Sequence, residues 1–450
     1  MLQSFRFANH RSFRDEQQLN LMPAFPGDYP DAEVRPVPVV GVFGGNASGK
    51  SNVLDALDFM RRFVLGSDRD VEPGQGLRRN PFQLVRAAQL EPSRYVVDLL
   101  LGGEHHAYGF TIDNNEVLEE WLYYYPRTDR YHKSGREQLI FARIGDDFEL
   151  GPDYRSHSDL RDIAGFTAPT ALYLSTAARF KLRVRRGGGT DENRLPDPLH
   201  DAYRWFRAIR TRRGSSGLML PPGPPGTFHD DRLRDRLAGL LRVADFGIAG
   251  IELAPGDPDA RRLVQELTEA GEHLKAQAIR AATRDRLLFR HKGADGDVLM
   301  EFDDESRGTR QLLELGVDAI DVLDRGGLLV VDEIDVSLHP LLSATSVELF
   351  RSPLTNPHGA QLIFTSHDAA LLGHLDGEEV LKRDEIWFTE KGDDGRSLLY
   401  SLSEFKPRKN GENRERRYLN GSYGAVPDIS SDLLAQAMRG RGGADGSATE

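Results

Sequence analysis

Residues 44–51 read Gly-Gly-Asn-Ala-Ser-Gly-Lys-Ser, filling every fixed position of the pattern G-x-x-x-x-G-K-[ST]. Such a loop works at one kind of junction, where a buried strand turns through glycines into the first turn of a helix. The flanks comply. Val37, Val39, Val40, Val42 and Phe43 form an apolar run suited to a buried strand, and residues 52–60 continue with helical patterning. The chain is therefore expected to fold as an α/β protein around a strand, loop and helix unit that receives a nucleoside triphosphate.

Each residue type in the loop has a physical reason. Gly44, Gly45 and Gly49 allow backbone conformations that side chains forbid, so that N–H groups point at phosphate. Lys50 supplies a positive charge for the β and γ phosphates, and Ser51 a hydroxyl ligand for Mg²⁺. Asn46, Ala47, Ser48 and Asn52 complete the expected nucleotide contacts.

Two further strand ends carry chemistry. Residues 327–333, Gly-Leu-Leu-Val-Val-Asp-Glu, are an apolar run ending in two carboxylates, which reads as a central parallel strand delivering Asp332 and Glu333 at its carboxyl edge. In phosphate-loop proteins the first carboxylate helps hold Mg²⁺ and the second polarises the attacking water, so Asp332 is the metal partner and Glu333 the general base. Residues 361–368 repeat the pattern and end in Thr365-Ser366-His367-Asp368. A histidine at such an edge can hydrogen-bond a γ-phosphate, and His367 is assigned that role; an isolated histidine would read as a structural one.

Composition sets limits. The 450 residues, 39% hydrophobic and 28% charged, suit an ordinary globular protein of two or three domain-sized units. No apolar run approaches the roughly 20 residues that span a bilayer, and the polar start Met1-Leu2-Gln3-Ser4-Phe5-Arg6 is no signal peptide. With no cysteine there are no disulfides or thiolate metal sites, which agrees with a cytoplasmic location and with no membrane partner. The formal net charge of −12 argues against a general electrostatic grip on nucleic acid.

Four stretches together resemble the ABC-type ATPase heads of the SMC and recombination-repair kind: the opening Phe7-Ala8-Asn9-His10-Arg11-Ser12-Phe13, the loop through Asn52, residues 332–340 (Asp-Glu-Ile-Asp-Val-Ser-Leu-His-Pro) and residues 365–368. More narrowly, these stretches and residues 418–427 are similar to the compact AAA-family ATPases of prokaryotic anti-phage defence loci, the RloA-like group and its relatives. The resemblance implies an α/β phosphate-loop NTPase of the ABC/SMC-head type, with a mixed sheet, an antiparallel β subdomain and an inserted helical lobe. It implies ATP and Mg²⁺ as ligands and a homo-oligomer, a dimer or higher, that sandwiches nucleotide head to tail. A serine-glycine signature from the second copy would complete the site, and the matching place here is Ser306 and Gly308, ahead of an amphipathic run from Leu312 to Leu323. Ser306 or Thr309 reads equally well as an ordinary helix cap.

The chain departs from the family pattern in three places. Its signature is Ser-Arg-Gly-Thr rather than the Leu-Ser-Gly-Gly-Gln of transporter subunits, which counts against a transporter ATPase. His339 stands where many heads carry an aspartate. The glutamine that usually touches Mg²⁺ has no counterpart: Gln83 and Gln89 come too early, and residues 172–176 contain none.

Domain boundaries follow from these motifs. Residues 1–150 hold the phosphate loop and expected antiparallel strands at 95–101, 106–112, 117–125 and 138–143; residues 151–295 are expected as a helical lobe, with helices over 199–209, 231–243 and 260–288; residues 296–430 hold the signature, the acidic strand and His367; and residues 431–450 read as a disordered tail. Gly- and Pro-rich residues 214–217 and 221–226 read as an exposed loop. No heptad repeat is sustained, which excludes a long coiled-coil arm.

Arginine and lysine cluster at 183–186, at 207, 210, 212 and 213, and at 406–417. These are either a docking surface for nucleic acid or protein, or a solvated face. The 70 acidic residues against 58 basic, and the lack of interleaved aromatics, favour the second. No nuclease constellation is present, so any effector activity, such as a nuclease, is expected from a partner protein. The alternative is a DNA-repair or chromosome-associated head that binds DNA directly.

Overall fold

The computed structural model describes residues 1–29, 35–69, 76–126, 135–184, 197–213, 226–244, 247–279, 283, 285–375, 377–408, 412–426 and 438, without the side chains of 181–184. The expected loop at 214–217 and 221–225, and the expected tail apart from residue 438, lie outside the described residues.

In chain order the strands are β1 (Leu2–Ala8), β2 (Gln17–Asn20), β3 (Val39–Phe43), β4 (Ser93–Leu101), β5 (Glu104–Ile112), β6 (Val117–Tyr125), β7 (Gln138–Ile144), β8 (Asp147–Leu150), β9 (Ile209–Arg213), β10 (Ile248–Ala254), β11 (Arg286–His291), β12 (Val298–Glu301), β13 (Leu328–Asp332), β14 (Gln361–Thr365), β15 (His374–Leu375), β16 (Glu378–Glu379), β17 (Ile386–Lys391) and β18 (Ser397–Ser401). The helices are α1 (Lys50–Gly66), α2 (Ser158–Phe166), α3 (Tyr173–Val184), α4 (Asp197–Ala208), α5 (Asp231–Ala244), α6 (Pro258–Glu269), α7 (His273–Ile279), α8 (Arg307–Arg325), α9 (Pro340–Arg351) and α10 (Arg414–Leu419).

A six-stranded sheet in the order β18-β17-β3-β14-β13-β9 forms the centre. Its members run parallel except β18, which pairs antiparallel with β17 at one edge. Period-2 burial on both faces explains why the central strands β3, β13 and β14 are mostly apolar. Val40, Val42, Val330 and Ile363 face one core, while Val39, Phe43, Leu329, Val331, Leu362 and Phe364 face the other.

The first of these cores is shared with a seven-stranded antiparallel sheet, β2-β1-β4-β5-β6-β7-β8, and with α1, whose Val53, Leu57 and Met60 are buried in it. The second is closed by α8 and α9 through Leu315, Ala319, Val322, Val347 and Phe350. A third, smaller core joins α5 and the opposite side of α8 to the sheet β10-β11-β12. Two apolar stripes on α8 thus pack it against both the central layer and the outer lobe.

Segment 151–295 is not the single helical lobe expected. Helices α2 to α4 lie against the first core, β9 is an edge strand of the central sheet, and only the remainder joins the outer unit, strands β10 and β11 included. The helix expected over 260–288 is broken: Gly271 sits at φ +78 just after α6, a conformation that ends helices. Leu287 and Phe289 then enter β11, paired with β10. No helix among the described residues is long and apolar enough to cross a membrane.

Candidate nucleotide site

The phosphate loop leaves the carboxyl end of β3, on the same edge as the ends of β14, its neighbour, and of β13, the next strand over. Open parallel sheets bind ligands at that edge. Within the loop, Gly44 has φ +155, and a Cβ there would come within 2.4 Å of the Thr389 carbonyl oxygen, so glycine is required by space. Ala47 takes φ +61 and Gly49, immediately before α1, φ +115. Helix α1 has no side-chain cap, which leaves its first-turn N–H groups and positive dipole end for a ligand. Ser48 Oγ is 2.7 Å from Thr389 Oγ1, anchoring the loop to β17.

Lys50 is buried and folds over its own loop, donating from Nζ to the carbonyl oxygens of Gly44 at 2.8 Å and Gly45 at 3.0 Å. Burial holds its pKa below the usual lysine value, with the charges of Asp332, Glu333 and Asp335 opposing that shift. Nζ also lies 3.4 Å from His367 Nδ1. An ammonium donating there requires Nδ1 to be bare, which puts any ring proton on Nε2, the nitrogen 3.8 Å from Glu333 Oε1. Lysine, histidine and glutamate from three separated segments thereby meet in one line.

Ser51 Oγ donates to Asp332 Oδ1 at 2.9 Å, and the same oxygen accepts from Thr365 Oγ1 at 2.6 Å. A hydroxyl and a carboxylate are hard oxygen donors that fit Mg²⁺. No group of three or more His, Cys, Asp or Glu side chains that could hold a metal occurs among the described residues. Two protein oxygens suit an ion that takes its other ligands from phosphate and water. Glu333 follows at φ +56, an uncommon conformation outside glycine, held by its N–H on Thr365 Oγ1 at 2.7 Å.

A cleft of about 430 Å³ is lined by Asn46, Ala47, Ser48, Gly49, Lys50, Ser51, Asn52, Glu333 and His367, nine of the residues singled out from sequence. Gly44 does not line it. Asp332 and Ser51 line a second, smaller cleft on the other side, with Asp55, Asp58, Arg11 and Arg213. Ser306 and Gly308 line neither. Ser306 caps α8, its Oγ accepting from the Thr309 backbone N–H at 3.1 Å. His339 caps α9 in the same way.

Sequence reasoning missed Ser12 and Lys391, which also line the main cleft. Ser12 was within reach, since its Oγ accepts from Asn52 at 2.8 Å and from Ser397 at 2.8 Å and sits in the opening stretch already noted. Lys391 ends β17, and nothing local marks it. Gln83 and Gln89 bond within their own loop, and Arg213 of β9 stands in register with Asp332. Arg213 forms ion pairs with Asp58 at 2.8 Å and with Asp55.

The basic cluster at 207–213 is largely consumed inside the fold: Arg210 pairs with Asp321 at 2.8 Å, and Arg212 with Asp318 at 3.1 Å and with Glu314. Of the later cluster, Arg414 pairs with Glu379 and Arg417 with Glu412. The side chains of 183–186 lie outside the described residues.

Among solved structures the chain is similar to the SMC head domain from Thermotoga maritima, at 14% identity over 89% of this chain and 98% of that one, with a TM-score of 0.40. It is similar at 11% identity and a TM-score of 0.38 to an SmcHead bound to the C-winged helix domain of ScpA, over 90% and 99% of the two chains. An Smc head domain with an extended coiled coil, bound to the C-terminal domain of ScpA derived from Pyrococcus furiosus, gives 11% and 0.38 over 90% and 97%. These likenesses are too distant to argue from. No curated protein matches. A family model described as "AAA domain, putative AbiEii toxin, Type IV TA system" matches residues 39–373, most of the chain. That match runs unbroken from β3, ahead of the phosphate loop, past His367, and places the chain in this family of AAA ATPase-type domains.

Proposed function

We propose that the protein hydrolyses ATP to ADP and phosphate, with two copies closing head to tail on the nucleotide. The observation that carries this reading is the meeting of Lys50, Ser51, Glu333 and His367 in one cleft, with Asp332 hydrogen-bonded to Ser51. In the reaction Lys50 exchanges the loop carbonyls for phosphate oxygens. Ser51 and Asp332 hold Mg²⁺, which neutralises charge on the phosphates when bound. Glu333 accepts a proton from the attacking water, and His367 donates from its ring to the γ-phosphate. Ser306 and Gly308 lie outside the cleft of their own chain, which supports their acting on the nucleotide of a second copy from the positive end of α8.

Closure is then the output, and the partner that reads it is an effector protein, such as a nuclease, in anti-phage defence. The family description, which names a toxin of a type IV toxin–antitoxin system, supports a role of that kind. The internal pairing of Arg210, Arg212 and Arg213 weighs against a direct grip on DNA through that cluster.

Glu333→Gln decides the central point. The variant is expected to bind ATP, to lose hydrolysis by about a hundredfold or more, consistent with removal of a general base, and to accumulate as an ATP-dependent dimer in light scattering. Hydrolysis at the wild-type rate overturns the base assignment, and a monomer at saturating ATP overturns the closure.

A further inference from the structure

Thr365, the last residue of β14, is wholly buried and makes three bonds to one turn. Its hydroxyl donates to Asp332 Oδ1 at 2.6 Å. The same hydroxyl accepts the Glu333 N–H at 2.7 Å. Its carbonyl oxygen accepts the Ile334 N–H at 3.0 Å. A threonine hydroxyl has one proton to give, and here it goes to the carboxylate assigned to the metal while its lone pair holds the backbone of the assigned base.

We infer that Thr365 is the positioning residue that sets both acidic groups of the site at once. The reading rests on the roles proposed above for Asp332 and Glu333. Two hydroxyls, from Ser51 and Thr365, converge on Asp332 Oδ1, so the carboxylate cannot rotate freely and one of its oxygens is committed to the protein. Glu333 is held at φ +56, which an L residue adopts only when its surroundings over-determine it. The two N–H bonds from Glu333 and Ile334 to Thr365 supply that determination. A β-branched side chain in a strand has a restricted χ1, so the hydroxyl is aimed before any ligand arrives. Parallel pairing of β13 with β14, with Val331 opposite Phe364, carries Thr365 to the level of Asp332, and this placement explains why a polar residue follows the apolar Leu362, Ile363 and Phe364.

Valine is the isosteric probe and serine the conservative one. Binding of a fluorescent ATP analogue is measured with Mg²⁺ and with EDTA, alongside steady-state hydrolysis. In Thr365→Val the tightening of analogue binding by Mg²⁺ is expected to shrink by about tenfold, the equivalent of one hydrogen bond to a charged group. Affinity in EDTA stays within about twofold, and kcat falls as well as KM rising, because weaker binding of the Mg²⁺ complex alone would raise KM and leave kcat unchanged. Thr365→Ser, which keeps the hydroxyl, stays within about threefold of wild type in every readout. A valine variant with wild-type Mg²⁺ dependence and kcat overturns the inference. Should valine not fold, Thr365→Ala and Thr365→Ser make the same comparison, and equal losses in the two overturn it by showing that the methyl packing, not the hydroxyl, matters. Wild-type turnover by Glu333→Gln removes the base assignment but leaves the Mg²⁺-binding readout to decide on Thr365. Loss of turnover in Glu333→Gln with a normal valine variant removes this inference alone.

Discussion

Glu120 on β6 is wholly buried, and its carboxyl accepts from the backbone N–H of Leu174 and the hydroxyl of Tyr108, each at 3.0 Å, and from the backbone N–H of Tyr173. It thereby caps the start of α3 from the antiparallel sheet. Burial nevertheless dominates: it pushes the carboxyl up from 4.5 to about 7, against the pull of those donors and of the Arg143 charge. The folded state then holds a proton that the unfolded state has released, so stability is fully present below pH 4.5 and is lost as pH rises through 7. The interval between 4.5 and about 7 corresponds to about 3 kcal/mol, at about 1.4 kcal/mol per pH unit for one proton.

Glu120→Gln removes the titration and keeps the volume, at a fixed cost of about 1 kcal/mol for the donor that an amide nitrogen cannot accept from. Urea denaturation of both proteins across pH 4.5–8 isolates the effect, because every other titrating group cancels in the difference. Wild type is expected to start more stable than the variant at pH 4.5 and to lose about 3 kcal/mol relative to it by pH 8. A difference that stays constant with pH refutes the raised carboxyl and, with it, the view that Glu120 caps α3 as a neutral acid.

Lys50→Ala removes the ammonium over the loop, and nucleotide affinity is expected to fall by about a hundredfold, two charge-assisted bonds to phosphate at about 1.5 kcal/mol each; titration calorimetry checks it, and ATP should cease to raise the melting temperature. Arg212→Ala leaves Glu314 and Asp318, its partners on α8, as unpaired and largely buried carboxylates, and is expected to cost about 3 kcal/mol in urea denaturation. Neutralising the carboxylates in the same chain (Glu314→Gln with Asp318→Asn) should recover part of that loss.

The phosphate loop and the two strand ends were legible because phosphate chemistry dictates residue types: glycine where a Cβ would strike the Thr389 carbonyl, an ammonium, a hydroxyl, two carboxylates after an apolar run. The antiparallel strands were legible from their alternation and their Gly-Gly and Asn-Asn turns. Strand β9 was not. Of Ile-Arg-Thr-Arg-Arg only the first residue is apolar, and no periodicity of hydrophobic burial marks it. What lets such a sequence occupy an edge of the central sheet is a set of ion pairs to two helices distant in sequence, and spacing along the chain carries no sign of them. Residues 260–288 failed for the opposite reason: leucines at helical spacing continue across Gly271, and only the pairing of Leu287 and Leu288 with β10 makes that stretch a strand. Thr365 was read as part of a motif but given no role, because its function lies in two cross-strand bonds that sequence does not display.

The same strand β9 explains how the two halves of the site are held together. Its alternate residues face opposite ways, as the strand period requires. Arg210 and Arg212 reach Asp321, Asp318 and Glu314, all on α8. Thr211 and Arg213 reach Asp58 and Asp55 on α1, Thr211 Oγ1 donating at 3.2 Å. The helix that begins at Lys50 and the helix that begins just after Ser306 are therefore tied to one five-residue strand, whose last member sits in register with Asp332. Neither helix can shift along its axis without breaking charged contacts or carrying the other with it, since partly buried ion pairs that lose one partner leave a costly charge behind. A loop that holds phosphate and a helix end proposed to reach a second copy are thus mechanically joined through side chains whose sequence reads as nothing more than a basic run.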